Sequence, residues 1–270
     1  MRFIIILVIV ITFIAQSTFS QNNLVPPSGK KTPGSFYLTW GYHRNAYTTS
    51  TLHLEDHASG SYAFTLYDAK AKDQPDMHNL LTTPISVPQY VFRMGYFFNN
   101  KRDLGVELSW DHLKYVVADN QVMHLKGTIH ERYYDVDTLV TPDFVHIEHT
   151  NGNNYAMVSV VKRSTFFEPG NGKHKLSGLF TGGAGVLIPK TDSRVLGNHN
   201  DGPFRYSGIV VAASAGLRYE FFKYLYIEPS IKGAFADYTN AKVYLQGRVK
   251  HHFFSVQYVF AAGINIPIGK

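Results

Sequence analysis

Eight stretches of this chain alternate, residue by residue, between large apolar side chains and small or charged ones. That period of two constrains the fold more than any other feature, because it belongs to strands that present two unlike faces. Strands are predicted at 35–47, 87–98, 104–118, 155–167, 174–188, 205–220, 224–238 and 252–268. In the third, Leu104, Val106, Leu108 and Trp110 alternate with Gly105, Glu107, Ser109 and Asp111. In the last, Val256, Tyr258, Phe260, Ala262 and Ile264 alternate with Gln257, Val259, Ala261, Gly263 and Asn265. The phase is ambiguous in 155–167 and 174–188. Helix-period stripes are absent, so an all-β fold is expected.

The links between these segments alternate too. Tight links, 99–103, 168–173 and 222–223, follow the second, fourth and sixth segments. Longer ones, 48–86, 119–154, 189–204 and 239–251, follow the first, third, fifth and seventh. Outer-membrane barrels have short periplasmic turns and longer extracellular loops. The expected fold is therefore an antiparallel transmembrane β-barrel of about eight strands. The two longest loops hold further alternating pieces, Tyr62–Asp68 and Val122–Ile129, which predict an extra strand or hairpin above the bilayer. Pro229 interrupts the seventh strand, where its missing N–H removes a ladder hydrogen bond.

The N-terminus supports this address. Met1-Arg2 precedes an apolar run from Phe3 to Ile14, and Thr18 and Ser20 stand at −3 and −1 before Gln21. This is the pattern of a cleaved signal peptide over 1–20, too short to span a bilayer as a helix. Residues 21–34 read as a flexible periplasmic lead-in, and 35–270 as the barrel. The chain has no cysteine, which excludes a disulfide framework and a lipidated cysteine. Its net charge of +6 is spread among acids without a basic run, so no nucleic-acid site is expected. It carries 18 Tyr and 19 Phe, suited to aromatic girdles at a membrane surface. Outer-membrane lipid and lipopolysaccharide are the expected surroundings.

A membrane barrel turns its apolar face outward, the reverse of a soluble barrel or sandwich. The opposite face carries Arg93, Glu107, Asp111, Arg218, Glu220, Glu228 and Lys232, and these are expected to line the lumen as pairs, since isolated buried charges are costly. The glycines of the fifth strand, Gly178, Gly182, Gly183 and Gly185, are expected to face the lumen and leave room for those side chains. No cofactor is expected. Of 13 histidines, His124, His130, His146 and His149 are the candidate metal ligands, because neutral imidazole binds zinc, copper and nickel. His149-Thr150-Asn151-Gly152 is similar to the His-x-Ser-Asn signature of outer-membrane phospholipase A and lipid A deacylases, which implies a hydrolase using His149, Thr150 and Asn151. The hydroxyl residue, however, directly follows the histidine, and adjacent strand residues point to opposite faces.

The pieces FYLTWGYHRNAY (36–47), FTLYDAKAKDQP (64–75), YVFRMGYFFNNK (90–101), LSWDHLKYVV (108–117) and FVHIEHTNGNNY (144–155) resemble a group of uncharacterised outer-membrane barrels of Bacteroidota. The plan is also similar to the small OmpA- and OmpX-type barrels. These resemblances imply fold and location and no defined activity. The expected role is structural or partner-binding, as an accessory subunit of a larger outer-membrane complex, with loops 48–86 and 119–154 as the contact surface. A lipid acyl hydrolase and a small-solute pore are the alternatives.

Overall fold

The computed structural model describes residues 34–56, 61–75, 88–98, 103–170 and 173–268. The signal peptide and all of the lead-in but Gly34 lie outside the described residues, as do most of the turn 99–103 and the loop residues 76–87. The described residues form fifteen strands: β1 (Gly34–Tyr47), β2 (Ser50–Asp56), β3 (Tyr62–Ala69), β4 (Ala71–Lys72), β5 (Tyr90–Phe97), β6 (Leu104–Val117), β7 (Gln121–Ile129), β8 (Arg132–Val140), β9 (Val145–Phe167), β10 (His174–Pro189), β11 (Asp192–Val195), β12 (Asn198–Asp201), β13 (Gly208–Phe221), β14 (Leu225–Lys242) and β15 (Arg248–Ile268).

Eight of them make a closed ring, β1–β5–β6–β9–β10–β13–β14–β15, antiparallel throughout. β15 returns to β1 in continuous register from Gly34↔Ile268 to Tyr47↔Ser255. Closure removes the exposed edges an open sheet would leave. The eight predicted segments are these eight strands, in the predicted order.

The two faces sort as a membrane barrel requires. Inward positions are buried, including Arg93, Glu107, Asp111, Arg218, Glu220, Glu228 and Lys232. Outward positions are exposed and apolar: Val106 and Leu108 on β6, Val158 and Val160 on β9, Ile209 and Leu217 on β13, and Phe254 through Ile266 at every second residue of β15. The phase of β9 and β10 resolves as well. Tyr155, Met157, Ser159, Val161 and Arg163 face in, while Val158, Val160 and Phe180 face out. Of the fifth-strand glycines, Gly183 pairs with the lumen-facing Ser159, but Gly178 and Gly182 stand in the outward row with Phe180, contrary to expectation. Pro229 is accommodated by a local opening: the β13–β14 ladder passes from Gly216↔Ser230 directly to Tyr219↔Ile227.

At the long-loop end the wall rises well past the apolar belt. β9 begins ten residues before the predicted start, and the top of β6, from His112 to Val117, is buried on both faces. There β15 continues the sheet sideways into β2, β3, β7 and β8, docking Arg248–Lys250 against His53–Glu55. A small hairpin, β11–β12, pairs with the first residues of β9. The extension buries Leu52, Leu54, Phe64, Leu66, Met123, Leu125, Val145 and Ile147 in one apolar core continuous with the barrel mouth. The predicted pieces Tyr62–Asp68 and Val122–Ile129 are β3 and β7. β2 and β8 add two strands that the sequence pattern missed.

Candidate functional site

Inside the barrel, side chains occupy two unlike layers. Towards the short-turn end Glu228 holds two guanidinium groups, Arg93 at 2.7 Å and Arg218 at 2.7 Å. Arg218 also lies over the rings of Tyr226 and Tyr37, 3.9 and 4.5 Å from their centroids. Tyr37 in turn donates to Glu107 at 2.7 Å. Glu220 accepts from Asn265 at 3.2 Å and lies 3.7 Å from Arg163, which also pairs with Asp103. Higher up, Lys232 donates to Asp111 at 2.5 Å and contacts the sulfur of Met157. The seven lumen residues named from the sequence are thus all buried, and they divide among three separate clusters. Sequence reasoning missed Tyr37 and Arg163: Tyr37 reads as one more aromatic, and Arg163 sits in a segment of ambiguous phase.

Above these clusters the mouth is closed by rings. Tyr115 stacks on Phe253 at 4.4 Å, and Tyr238 stacks on both His149 and His251 at 4.8 and 4.7 Å. The two imidazoles come from opposite walls, β9 and β15, and meet Nε2 to Nε2 at 3.3 Å. His149 Nδ1 lies 3.0 Å from Thr191 Oγ1, whereas His251 Nδ1 has no partner among the described residues. Burial holds His149 far down, at about 3, and holds His251 well below the ordinary imidazole value; a second proton beside His149 and His252 would be repelled, which pushes His251 the same way. Both rings are therefore neutral at physiological pH.

The remaining candidate residues are not brought together. Thr150 faces away from His149 and donates to Glu148 at 2.8 Å, as the one-residue spacing requires. His149 itself is fully buried, and Asn151 is an exposed β9 position. His124 pairs with Asp135 and Asp137 on the β7–β8 hairpin. His146 bridges Asp119 and Glu148, whose carboxylates raise it to about 9. His130 forms the two-residue β7–β8 turn with Glu131, both at positive φ. His124, His130, His146 and His149 thus occupy four different settings, and no group of three or more potential ligands exists among the described residues.

Among the described residues the outermost strand, β8, is the end of the sheet path and pairs with β7 alone. Tyr133, Val136 and Leu139 of β8 and the cross-strand neighbour Val122 are exposed large apolar residues. An unpaired strand edge bordered by such side chains is a ready template for an added strand.

No family model matches the sequence, and no curated protein matches it. Several solved structures are similar. The outer membrane protein OprG from Pseudomonas aeruginosa is 11% identical, with 88% of this chain and 98% of that one covered at a TM-score of 0.38. Neisserial surface protein A is 9% identical, covering 87% and 97% at 0.35. Ail, the attachment invasion locus protein of Yersinia pestis, in complex with the heparin analogue sucrose octasulfate, is 13% identical, covering 87% and 99% at 0.32.

Proposed function

We propose that this chain is a non-enzymatic outer-membrane barrel with a structural or partner-binding role, and that the β8 edge is its contact surface. One observation carries the reading. The charged side chains are buried inside and a continuous apolar band faces out, an arrangement that water would penalise and hydrocarbon rewards. Aromatic residues gather near both rims of the band, with Phe166, Phe167, Phe222 and Tyr224 near the short turns and Trp40, Tyr90 and Phe254 towards the loops. The lumen is filled by ion pairs below and stacked rings above, which weighs against a pore. The burial of His149 and the direction of Thr150 weigh against a hydrolase.

The partner is an extended segment of a different chain. β8 carries Asp135 and Asp137 in one row with Tyr133 and Leu139. Antiparallel pairing of two β8 strands centred on Val136 would set Asp135 against Asp137, and centring on either aspartate would set it against itself. Like charges directly opposite destabilise a sheet. Purification of the tagged protein from its native outer membrane in mild detergent should bring down one protein in near-equal amount. Recovery from the soluble fraction would overturn the membrane reading, and recovery as a clean monomer would overturn the partner reading.

A further inference from the structure

Just above the belt, the segment joining β12 to β13 folds against Pro189 and Thr191 and encloses a small polar cleft with Asn200, Gly202, Arg205, Ser207 and Lys242. Its backbone is fixed by Arg205 N donating to Pro189 O and by Ser207, whose N–H donates to Leu187 O while its carbonyl accepts from Thr239 and Asn240. The cleft is therefore built on the rims of β10 and β14 and is not a loose loop.

Its charges are not balanced from within. Arg205 and Lys242 form no ion pair among the described residues, although acids are close: Asp201 is engaged by Lys190 at 2.9 Å, and Glu55 by Lys250 at 2.7 Å. Lys242 moreover stands directly opposite Arg248 across the β14–β15 ladder. On its other side Arg248 faces Glu55, so this row already holds a carboxylate, and the cations of the cleft without an ion pair among the described residues are Arg205 and Lys242. On either side of Arg205 are Phe204 and Tyr206, both large and exposed, and Ile209, three residues after Tyr206, is the last belt residue of β13. Aromatic rings flanking a cation at the edge of a hydrocarbon band are suited to the headgroup level of a bilayer, with the rings among lipid and the cation on phosphate.

We infer that this cleft binds a phosphate group carried by a lipid headgroup of the outer leaflet, with Arg205 and Lys242 as the cationic ligands and Phe204 and Tyr206 as the anchors in the acyl region. Guanidinium binds phosphate oxygens through paired N–H donors. This inference rests on the membrane reading given above and names the lipid that the reading leaves open.

The test uses the full-length protein in a zwitterionic detergent and follows its thermal unfolding. It is titrated separately with dioleoyl phosphatidic acid, dioleoyl phosphatidylcholine and inorganic phosphate. Phosphatidic acid is expected to raise the midpoint saturably, with apparent affinity falling about tenfold or more in the R205Q/K242Q variant. K250Q, whose cation is already paired, is expected to behave as the parent. A response to phosphatidylcholine equal to that for phosphatidic acid, or an unchanged affinity in R205Q/K242Q, would overturn the site. Equal affinity for free phosphate would move the ligand from lipid to solution and overturn the headgroup assignment. Fractionation of R205Q/K242Q with the outer membrane separates this question from the membrane reading, because loss of the site leaves the belt intact.

Discussion

The lower lumen and the capped mouth solve the same packing problem with opposite chemistry. Both fill the bore of one eight-stranded ring with buried side chains. The lower layer does it with charges, Glu228 between Arg93 and Arg218 and Lys232 on Asp111. The upper layer does it with rings and aliphatic side chains, from Tyr115 and Phe253 up to Leu54 and Leu125. The contrast follows from what surrounds each. The membrane-embedded wall needs its apolar residues outside, so the two-residue period leaves polar and small residues for the bore. Above the belt the wall is covered by its own sheet extension, and the period no longer has to serve lipid.

That comparison can be broken experimentally, and the largest effect is expected in the lower layer. Glu228→Ala leaves two buried guanidinium groups without their shared carboxylate and should destabilise the barrel by about 3–5 kcal/mol, measured as equilibrium unfolding in detergent or lipid. Parental stability would show that the clusters are hydrated and not closed. In the cap, Leu125→Ala should cost about 2–4 kcal/mol. Its loss should register as faster amide exchange in β2, β3 and β7, with the belt strands unchanged. Uniform loosening of barrel and cap would mean that the two regions are one cooperative unit.

Acid should separate the layers by a smaller amount. The His149–His251 pair is neutral in the folded mouth, while an unfolded or opened chain binds protons below about pH 6.5. The folded values are depressed, so the stabilisation is fully present above 6.5. It is lost as pH falls towards the folded value of His149, about 3. By pH 5.5 the loss should be on the order of 1 kcal/mol for His149, with His251 acting in the same direction. Among the described residues no carboxylate is a hydrogen-bond partner of either ring; the groups facing them are Thr191, Tyr238, Tyr115, Phe253 and each other, with Glu148 and His252 on adjacent positions. Exchange at 145–153 and 189–195 should rise between pH 7 and 5 after correction for intrinsic rates. The same rise in H251F would assign it to other groups. The smallest effect on stability, within about 0.5 kcal/mol, is expected for Val136→Asp on the exposed β8 edge. Its consequence should be loss of the co-purifying partner; a partner retained in full would move the contact surface elsewhere.

The barrel was legible because lipid and bore impose one rule on every spanning residue. Leu104 to Asp111 obey it without exception, and so do Val256 to Asn265. The rule fails where its cause ends. β8 (RYYDVDTLV) is exposed along most of its length, so no apolar face marks it. The first ten residues of β9 mix His, Glu, Thr and Asn because they are covered on both sides, by β6 and the cap hairpin. The lumen charges could be named individually from the inward row, but their partners could not. Pairing depends on which strands meet across the bore, and Arg163 enters it only once the phase of β9 is set. The His149–His251 contact was invisible for the same reason, since the two belong to opposite walls.

The position of β15 sets an order of assembly. It is the last of the described strands in chain order, yet it both closes the ring on β1 and carries β2, whose residues 53–55 pair with 248–250. The β15–β2 rungs therefore wait on contacts between the first quarter of the chain and β15, the kind of distant pairing that slows folding, whereas the β2–β3, β3–β7 and β7–β8 rungs lie within residues 50–140. A nascent chain lacking β15 leaves residues 53–55 of β2 without their ring partner, and the cap is then held to the barrel through β4 on β6. Any assembly machinery that handles this protein must shield the Leu52, Leu54 and Phe64 face until that strand arrives.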